Sequence, residues 1–579
     1  MGVEDIACVW RTALGRGGMK IVDCAVVGWV CAALACLGSV AAAATPVHYV
    51  VFEMSQDGRV SPLHYARVEM QADAEALLAA QTVAASGHDA VVDYHLRQHG
   101  VDLGARQLRL PLLRGEFARD PGRDDSIVAA PVDDSAPRAF VLRVPVDAAD
   151  AIEFGSGAAA QTFDLATLAR QATQLREARL PQLQVQRASA SGPAANRVDL
   201  LVFAEGYTAA QQALFNADVA LLHDGLFALT PYKDYESHMN WTPVFAVSAQ
   251  AGADHPPYQA GCTGTNCCAD TAAQSDPRAG QFVNTAFNAR FCAYQVHRLL
   301  TVNNALVLAA AAAYPDWDAI VVLVNDPVYG GSGGDLSVTS TNIYAREIVL
   351  HEYGHSFTGL ADEYSDPYPG FPACSDLAGS AQCEANVTNQ TNAALVKWRA
   401  WFTPGNPIPT PAGTTGVGLF QGARYLSSGM YRPVDSQCQM RMLGQPFCPV
   451  CRQEYVRKLY AGGWGVPSGG ISPIEPGSAS PPTTQPVDYV PGTTRTFSVD
   501  LLWPSVGTLD TQWWLDGVRI VGPWTASYPF VQATPTPATR TLEVRVRDPS
   551  PYVAGNLPTY TRSWTIHVDA ERIFTDGFD

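Results

Sequence analysis

The chain has 579 residues, of which 47% are hydrophobic and 16% are charged, a composition typical of several globular domains. This composition excludes a fibrous protein and a chain that is disordered throughout. The formal net charge of -17, with no basic cluster in the sequence, excludes nucleic acid and anionic membrane surfaces as expected partners.

The N-terminal region contains an apolar run over about residues 25–44, which follows Lys20 and ends in alanines. Such a run is typical of an export signal with a small-residue cleavage site. We expect residues 1–44 to be a signal peptide, with Met19 as an alternative start of translation. A membrane anchor is the alternative, because the run approaches the ~20 residues that span a bilayer. We favour cleavage, which leaves a secreted or periplasmic protein without stable membrane association.

Residues 45–188 form a first predicted module, β-rich with an α+β pattern. Apolar and polar residues alternate as in strands at 47–52 and 140–144, and the stretch near 74–85 is helical in character. The module carries no chemical motif, so we expect it to pack beside the next domain or to shield it as a pro-region. Residues 189–195 are typical of a linker.

Residues 196–464 alternate strand and helix patterns, which predicts an α/β domain. Strands are expected at 198–203, 244–247 and 319–324, with a helix from Ala209. The last strand is followed by a glycine-rich segment, which leaves its backbone open for an extended substrate to pair along a sheet edge. A phosphate-binding loop is disfavoured, because no Gly-Lys-Ser/Thr follows these glycines.

The segment that follows carries the strongest chemical motif of the chain. His351 and His355 are four residues apart, so they project from one face of a helix and can hold one Zn²⁺ ion. Glu352 lies beside the first ligand, where its carboxylate can take a proton from a water whose pKa zinc lowers to about 7. Thr341 or Asn342 offers an N-cap for this helix. The motif predicts a zinc peptidase.

The run from His351 to Tyr364 resembles the signature of the IgA peptidase family of bacterial zinc metallopeptidases. Further blocks resemble the family in the same order, namely residues 198–208, Asn325 with 329–334, 431–433 and 440–442. The similarity spans roughly residues 198–460. Glu205 departs from it, because the family usually shows Asp at this place.

The third zinc ligand is left open between two neighbouring carboxylates. In enzymes of the metzincin type, a glycine after the second histidine turns the chain, and the residue three positions beyond it becomes a ligand. Gly359 would take this role, which makes Asp362 the favoured ligand and Glu363 the alternative. One extra residue separates His355 from Gly359 compared with the metzincin pattern.

Two further site residues are expected downstream. Met440 lies where a methionine beneath the metal would be expected, packing against the ligands without coordinating zinc. Tyr431 is a candidate donor to the oxyanion of the tetrahedral intermediate.

Nine cysteines lie beyond the signal, all in the α/β domain, and such clustering predicts local disulfides in an exported protein. A bond between Cys374 and Cys383 would close a short loop, and a group of four is expected to staple an insertion: Cys262, Cys267, Cys268 and Cys292. Cys448 and Cys451 fit a redox pair or half of a zinc site, but we expect a disulfide partner for at least one of them.

The C-terminal region begins with residues 465–494, which are dense in Pro, Gly, Ser and Thr and predict an extended linker. Alternation over residues 495–569, with a turn at Asp516 and Gly517, predicts an accessory β-sandwich of immunoglobulin-like type. Residues 570–579 resemble a short C-terminal ending of some exported bacterial proteins.

The sequence therefore predicts an exported, monomeric, multidomain zinc endopeptidase whose substrates are extracellular proteins or glycoproteins. One alternative is a non-catalytic adhesin or glycan-binding protein with a peptidase-like scaffold, against which the intact Glu352 argues. The other alternative is a zinc amidase that acts on cell-wall peptide by the same metal chemistry.

Overall fold

The computed structural model describes residues 44–72, 74–80, 90–110, 114–115, 137–155, 157–175, 180–186, 189–367, 371–377, 382–462, 470–534 and 536–569. The predicted signal peptide, apart from its last residue, and the predicted tail 570–579 lie outside these residues. No helix within the described ranges is both long enough and apolar enough to cross a membrane.

The N-terminal part is built mainly of strands. Its elements are β1 (Thr45–Met54), β2 (Val60–Met70), α1 (Ala74–Ala80), β3 (Ala90–Gln98), β4 (Val101–Leu110), β5 (Arg114–Gly115), β6 (Arg138–Pro145), β7 (Ala151–Phe154), β8 (Gln161–Asp164) and α2 (Leu165–Leu175). One sheet has the order β2-β1-β6 and a second has the order β4-β3-β7-β8. Both sheets contribute to one hydrophobic core, with Phe52 from the first and Tyr94 from the second. Both predicted strands are present, and the described part of the predicted helix is α1.

The central part contains a seven-stranded mixed sheet. Its further elements are β9 (Leu183–Val185), β10 (Val198–Glu205), α3 (Gln212–Leu226), β11 (Met239–Ala246), α4 (Asn304–Ala311), β12 (Ala319–Val324), β13 (Gly331–Gly333), β14 (Ser337–Ser340) and α5 (Ala345–Ser356). The strand order is β5-β13-β14-β12-β10-β11-β9. Strands β14, β12, β10 and β11 run parallel, whereas β13 is antiparallel to both β14 and β5.

The strand β10 is buried on both faces, as its nearly continuous apolar sequence requires. On one face, Leu200 and Val202 share a core with Phe215 of α3 and Leu350 of α5. On the other face, Phe203 and its neighbours share a core with α4 and with β1. Helix α5 therefore lies on one face of the sheet, beside β13 and β14, and its position is fixed by apolar packing.

Three further elements follow α5: β15 (Phe420–Ala423), β16 (Leu426–Arg432) and α6 (Pro449–Ala461). Helix α6 packs its buried face into the same core as α5. Disulfides join Cys262 to Cys267, Cys268 to Cys292 and Cys374 to Cys383. They confirm the predicted stapling of the insertion and the short loop, and disulfides of this kind are typical of exported proteins.

The expected disulfide partner for Cys448 or Cys451 is wrong. Cys438, Cys448 and Cys451 are all buried free thiols. Their Sγ atoms approach one another, but at distances of 3.5 and 3.6 Å they lie well beyond the ~2.05 Å of a disulfide bond.

The C-terminal part is a set of strands around one core. Its elements are β17 (Val487–Tyr489), β18 (Arg495–Ser498), β19 (Asp510–Leu515), β20 (Val518–Arg519), β21 (Ser527–Phe530), β22 (Ala538–Arg547) and β23 (Tyr560–Val568). A five-stranded sheet has the order β17-β23-β22-β19-β20, and β18 pairs with β21. Strands of both sheets contribute to this core through Phe497 and Trp513. Asp516 and Gly517 have positive φ values of 49° and 77° and form the predicted turn between β19 and β20.

The predicted linker 465–494 differs from what the structure contains. Residues 463–469 lie outside the described part. In the rest of the predicted linker, Ile471 and Ile474 are fully buried, and strand β17 pairs with β23 of the C-terminal part. These apolar positions anchor the segment, although its Pro and Gly content suggested an extended chain. The described chain is β-rich with some helices and contains several separate cores, which is consistent with a multidomain protein.

Candidate metal centre

Helix α5 presents the His-Glu-x-x-His motif towards the protein interior. His351, Glu352 and His355 are all buried on this helix. The helix begins at Ala345, and the N-cap position is held by Tyr344, not by Thr341 or Asn342 as expected. Asn342 instead accepts a hydrogen bond from the backbone N–H of Tyr344, 3.1 Å away.

A left-handed turn ends this helix and returns the chain to it. Gly359 has φ of 72°, a conformation that glycine adopts at little cost. The backbone N–H of Gly359 donates to the carbonyl oxygen of His355 at 3.0 Å. The turn brings Asp362 back against the two histidines. The helix thus ends before Gly359, and the chain turns at this glycine as the prediction of Asp362 as third ligand requires.

Three electron-pair donors meet at one point beside α5. The Nε2 atom of His351 lies 2.9 Å from Asp362 Oδ1 and 3.1 Å from His355 Nε2. His355 Nε2 lies 3.3 Å from the same Asp362 oxygen. A tetrahedral zinc ion with Zn–N distances of 2.0–2.1 Å would separate its nitrogen ligands by about 3.3 Å. The three atoms therefore have the spacing of ligands around one metal ion.

The outward-facing nitrogens fix the orientation of both imidazoles. His351 Nδ1 donates to the carbonyl oxygen of Gln439 at 3.0 Å, and His355 Nδ1 donates to that of Leu360 at 2.8 Å. A carbonyl oxygen can only accept, so in the neutral imidazoles the proton is on Nδ1 and the Nε2 lone pair faces the centre. Two lone pairs and a carboxylate at this distance repel one another unless a cation lies between them. The residues fit a bound metal ion.

Asp362 is held in its charged form by its surroundings. Burial disfavours the carboxylate, but without a metal ion the protonated imidazoles of His355 and His351 would outweigh burial and hold the pKa of Asp362 well below its usual range, and a metal cation would take over this role when both imidazoles are neutral. Its second oxygen, Oδ2, accepts a hydrogen bond from the hydroxyl of Tyr425. The backbone N–H of Arg424 also donates to the Asp362 carbonyl oxygen at 3.0 Å.

Arg424 and Tyr425 adopt a strained backbone conformation at this point. Their φ values are 52° and 62°, in a region that side-chain-bearing residues seldom occupy. In this conformation the Tyr425 hydroxyl can donate its hydrogen bond to Asp362, the third candidate ligand. Tyr425 was not predicted from the sequence, because a tyrosine in the Ala-Arg-Tyr segment between two short strands is a weak signal.

We expect Tyr425→Phe to weaken metal binding by about 10–100-fold, the usual cost of removing a group that orients a metal ligand. The substitution leaves Asp362 Oδ2 without the Tyr425 hydroxyl and lets the carboxylate rotate. Metal affinity measured by competition with a chromophoric chelator checks this. Tyr431→Phe is the matched control, and equal metal affinity of Tyr425→Phe and the wild type would contradict the prediction.

Glu352 is packed directly against the glycine-rich strand β13. A methyl group at Gly333 would lie 2.6 Å from Glu352 Oε2 and 3.0 Å from the Glu352 carbonyl oxygen. The absence of a side chain at Gly333 is therefore what allows the carboxylate to occupy its place between helix and strand.

We expect Gly333→Ala to lower kcat/KM by on the order of 10²-fold, because displacement of a reacting group by about 1 Å has this effect. The added methyl group would also lie 3.1 Å from Cβ of His355, so metal content is measured in the same preparation and kcat/KM is given per metal-loaded chain. Gly264→Ala is the control, since nothing lies within 4 Å of the added methyl group there. Unchanged kcat/KM in Gly333→Ala would show that Glu352 tolerates the contact.

The two downstream residues, Met440 and Tyr431, have different surroundings. Met440 is fully buried, and a methyl group at Gly354 would lie 2.7 Å from its sulfur, so Met440 packs under α5 beside the second histidine. Tyr431 lies in β16, and its backbone N–H donates to the Thr388 carbonyl oxygen at 2.8 Å. Among the described residues, no hydrogen bond of its hydroxyl to the three ligands is found.

Glu363 and Glu205 turn away from the three ligands. Glu363 lies among the three free thiols, on a different side of the chain from Asp362. Glu205 accepts hydrogen bonds from the Thr285 hydroxyl and from the backbone N–H groups of Phe287 and Ala289. It therefore anchors residues 285–289, which lie inside the loop closed by the disulfide between Cys268 and Cys292.

The edge of the sheet beside α5 is not free. Strand β13 pairs with β14 on one side, and on the other side Ser332 and Gly333 pair with β5 of the N-terminal part. The expectation of an open edge at the glycines is wrong for this structure. The pairing partner is a two-residue strand that carries no sequence signal of its own.

The family comparison matches the part of the chain that holds this centre. Residues 187–263 and 262–416 match the family model described as IgA Peptidase M64. The resemblance to the IgA peptidase family is therefore confirmed over this part, and the match implies a metallopeptidase. No curated protein matches the chain.

Proposed function

We propose, from the match of residues 187–416 to the IgA Peptidase M64 family and the ligand group within it, that this protein is an exported zinc-dependent endopeptidase. The observation that carries the proposal is the meeting of two imidazole lone pairs and one buried carboxylate oxygen within 3.3 Å. This donor set suits zinc in a hydrolytic site, which keeps a fourth position for substrate or water.

In the proposed mechanism, His351, His355 and Asp362 would hold the metal ion, and their hydrogen bonds to backbone carbonyls and to Tyr425 orient the donor atoms towards the point where they meet. A bound Zn²⁺ ion would supply Lewis-acid chemistry, lowering the pKa of water and polarising the peptide carbonyl. Glu352 takes a proton from the attacking water as the new bond to the carbonyl carbon forms. It then gives this proton to the amine nitrogen as the C–N bond breaks.

Several features support export and an extracellular protein or glycoprotein as substrate. Three disulfides lie in the described chain, which is typical of oxidising compartments. The predicted signal, residues 1–44, agrees with this. Main-chain pairing along β13 would hold an extended polypeptide with little sequence preference if that polypeptide displaced β5 from the strand edge. We propose that the protein acts as a monomer, and Tyr431 stays a predicted oxyanion donor.

Removal of the metal tests the proposal. Dialysis of the purified chain that begins at residue 45 against a strong chelator should abolish hydrolysis of casein, and added Zn²⁺ should restore it. Mass analysis of the products distinguishes an endopeptidase from a cell-wall amidase, since cleaved peptide bonds within casein identify an endopeptidase. Release of stem peptide from purified cell wall, with casein left intact, would instead identify the amidase.

A further inference from the structure

A second group of ligand-type side chains lies behind the first one. It consists of Glu363, Cys438, Cys448 and Cys451, all fully buried or nearly so, with one donor atom of each within 4.8 Å of the others. Cys448 and Cys451 begin helix α6, whereas Glu363 follows Asp362 directly. This thiol cluster is therefore assembled from three separate segments of the chain.

The distances within the thiol cluster are those of ligands around a metal ion. Cys451 Sγ lies 3.6 Å from Cys438 Sγ and 3.5 Å from Cys448 Sγ. Glu363 Oε1 lies 3.5, 4.0 and 3.3 Å from the sulfurs of the cysteines at 438, 448 and 451. With Zn–S near 2.3 Å and Zn–O near 2.0 Å, a tetrahedron has S–S edges of about 3.8 Å and S–O edges of about 3.5 Å.

Other uses of these residues fit less well. Three thiols cannot all pair, and the other six cysteines beyond the predicted signal are already joined to one another. Glu363 Oε1 accepts from the side-chain amide of Asn386 at 3.0 Å, but Oε2 is buried without a hydrogen-bond partner among the described residues. A buried carboxylate in this state is costly unless a cation binds it.

We propose that Cys438, Cys448, Cys451 and Glu363 bind a second metal ion in a closed four-ligand site. The ligand chemistry selects zinc, because thiolate sulfur favours this ion and four protein ligands leave no position for substrate. Binding releases the protons of the coordinating thiols, so it needs no oxidant or reductant. The site is structural, and nothing in the family match assigns it.

The two sites share the segments that carry their ligands. Asp362 and Glu363 are neighbours in sequence and contribute to different sites. The backbone N–H of Glu363 donates to the Met440 carbonyl oxygen at 2.8 Å. The carbonyl oxygen of Gln439, which lies next to Cys438, accepts the hydrogen bond of His351 Nδ1. Metal in the thiol cluster therefore fixes the backbone that orients the first centre.

Metal analysis of the full chain and of His355→Ala tests the proposal. We expect about two zinc ions per wild-type chain and about one in His355→Ala, because that variant lacks a ligand of the first centre alone. After exchange with Co²⁺, His355→Ala should keep the near-ultraviolet charge-transfer bands of thiolate bound to cobalt. A folded His355→Ala chain with no metal and no such bands would overturn the proposal.

A thiol count on the wild-type chain that begins at residue 45, and so lacks the cysteines at positions 8, 24, 31 and 36, gives a second, independent test that does not depend on folding of a variant. Denaturation of this chain with a chelator should expose three reactive thiols, and reaction of the same thiols in the native chain should release the metal ion that they bind. A single reactive thiol would mean that two of the three form a disulfide, which overturns the proposal.

Glu363→Gln tests the carboxylate ligand. Glutamine keeps the shape of glutamate and an oxygen that can accept from Asn386, but it lacks the negative charge. The Co²⁺ affinity of the thiol cluster should therefore fall by about tenfold or more. The first centre of the same variant is the control, because its metal content should not change. Unaltered affinity of the thiol cluster would remove Glu363 from the ligand set.

Discussion

Glu352→Gln is expected to lower casein hydrolysis by about 10²–10⁴-fold, the contribution that a positioned general acid–base makes. Glutamine has the size of glutamate, so it fits between α5 and Gly333, but it cannot take a proton from water. The three candidate ligands keep their contacts, and zinc content should therefore equal that of the wild type. Initial rates of casein cleavage and metal analysis of the same preparation give both quantities.

Glu347→Gln is the matched control for this substitution. Glu347 lies one turn earlier on the same helix, and its carboxylate accepts hydrogen bonds from Arg346, away from the metal centre. The control should retain wild-type rates. Equal cleavage by Glu352→Gln and wild type would point to a contaminating protease and would remove the support for Glu352 as the base.

Asp362→Asn is expected to abolish binding of the metal at the first centre. The amide is neutral and offers a weaker donor to a cation than the carboxylate that it replaces. The loss of affinity should exceed the ~10–100-fold that removal of a supporting residue causes, since a direct ligand is lost. Isothermal titration of the metal-free chain with Zn²⁺ measures this loss, and casein hydrolysis should vanish with it.

Glu363→Gln separates the two carboxylates that the sequence left open. It should leave the metal affinity of the first centre and the Nε2 environment of both histidines unchanged, because Glu363 lies among the thiols. The reverse pattern, in which Asp362→Asn keeps the hydrolytic metal and Glu363→Gln loses it, would assign the ligand to Glu363.

The local part of this centre was predictable because it depends on helical spacing. His351, Glu352 and His355 occupy one helix, and a single glycine after it turns the chain, so a short run of sequence contains the whole arrangement. The α/β pattern of strands and helices before it was predictable for the same reason. Buried parallel strands such as β10 have continuous apolar sequences that can be read without the fold.

The remaining contacts join residues that are far apart in sequence. Tyr425 reaches Asp362 from 63 positions away, and its backbone strain has no signature in the sequence. For Cys448 and Cys451 the sequence allowed a redox pair or half of a zinc site, and a disulfide partner was favoured over both. The other two members of the thiol cluster are a lone cysteine and a glutamate. A search for a second cysteine pair could not find this cluster. The pairing of β5 with β13 likewise depends on tertiary packing.

The pairing of β5 with β13 bears on how a substrate gains access. The side chains of His351, Glu352 and Asp362 have no exposed surface in the described chain, and the neighbouring strand edge is taken by residues 114–115. A polypeptide that pairs with β13 must therefore compete with a strand tethered in the same chain, whose effective concentration can reach the millimolar range. Short peptides would lose this competition. Long, unfolded polypeptides that contact the surface at several points could win it, so chain length would govern selectivity more than the residues around the cleaved bond.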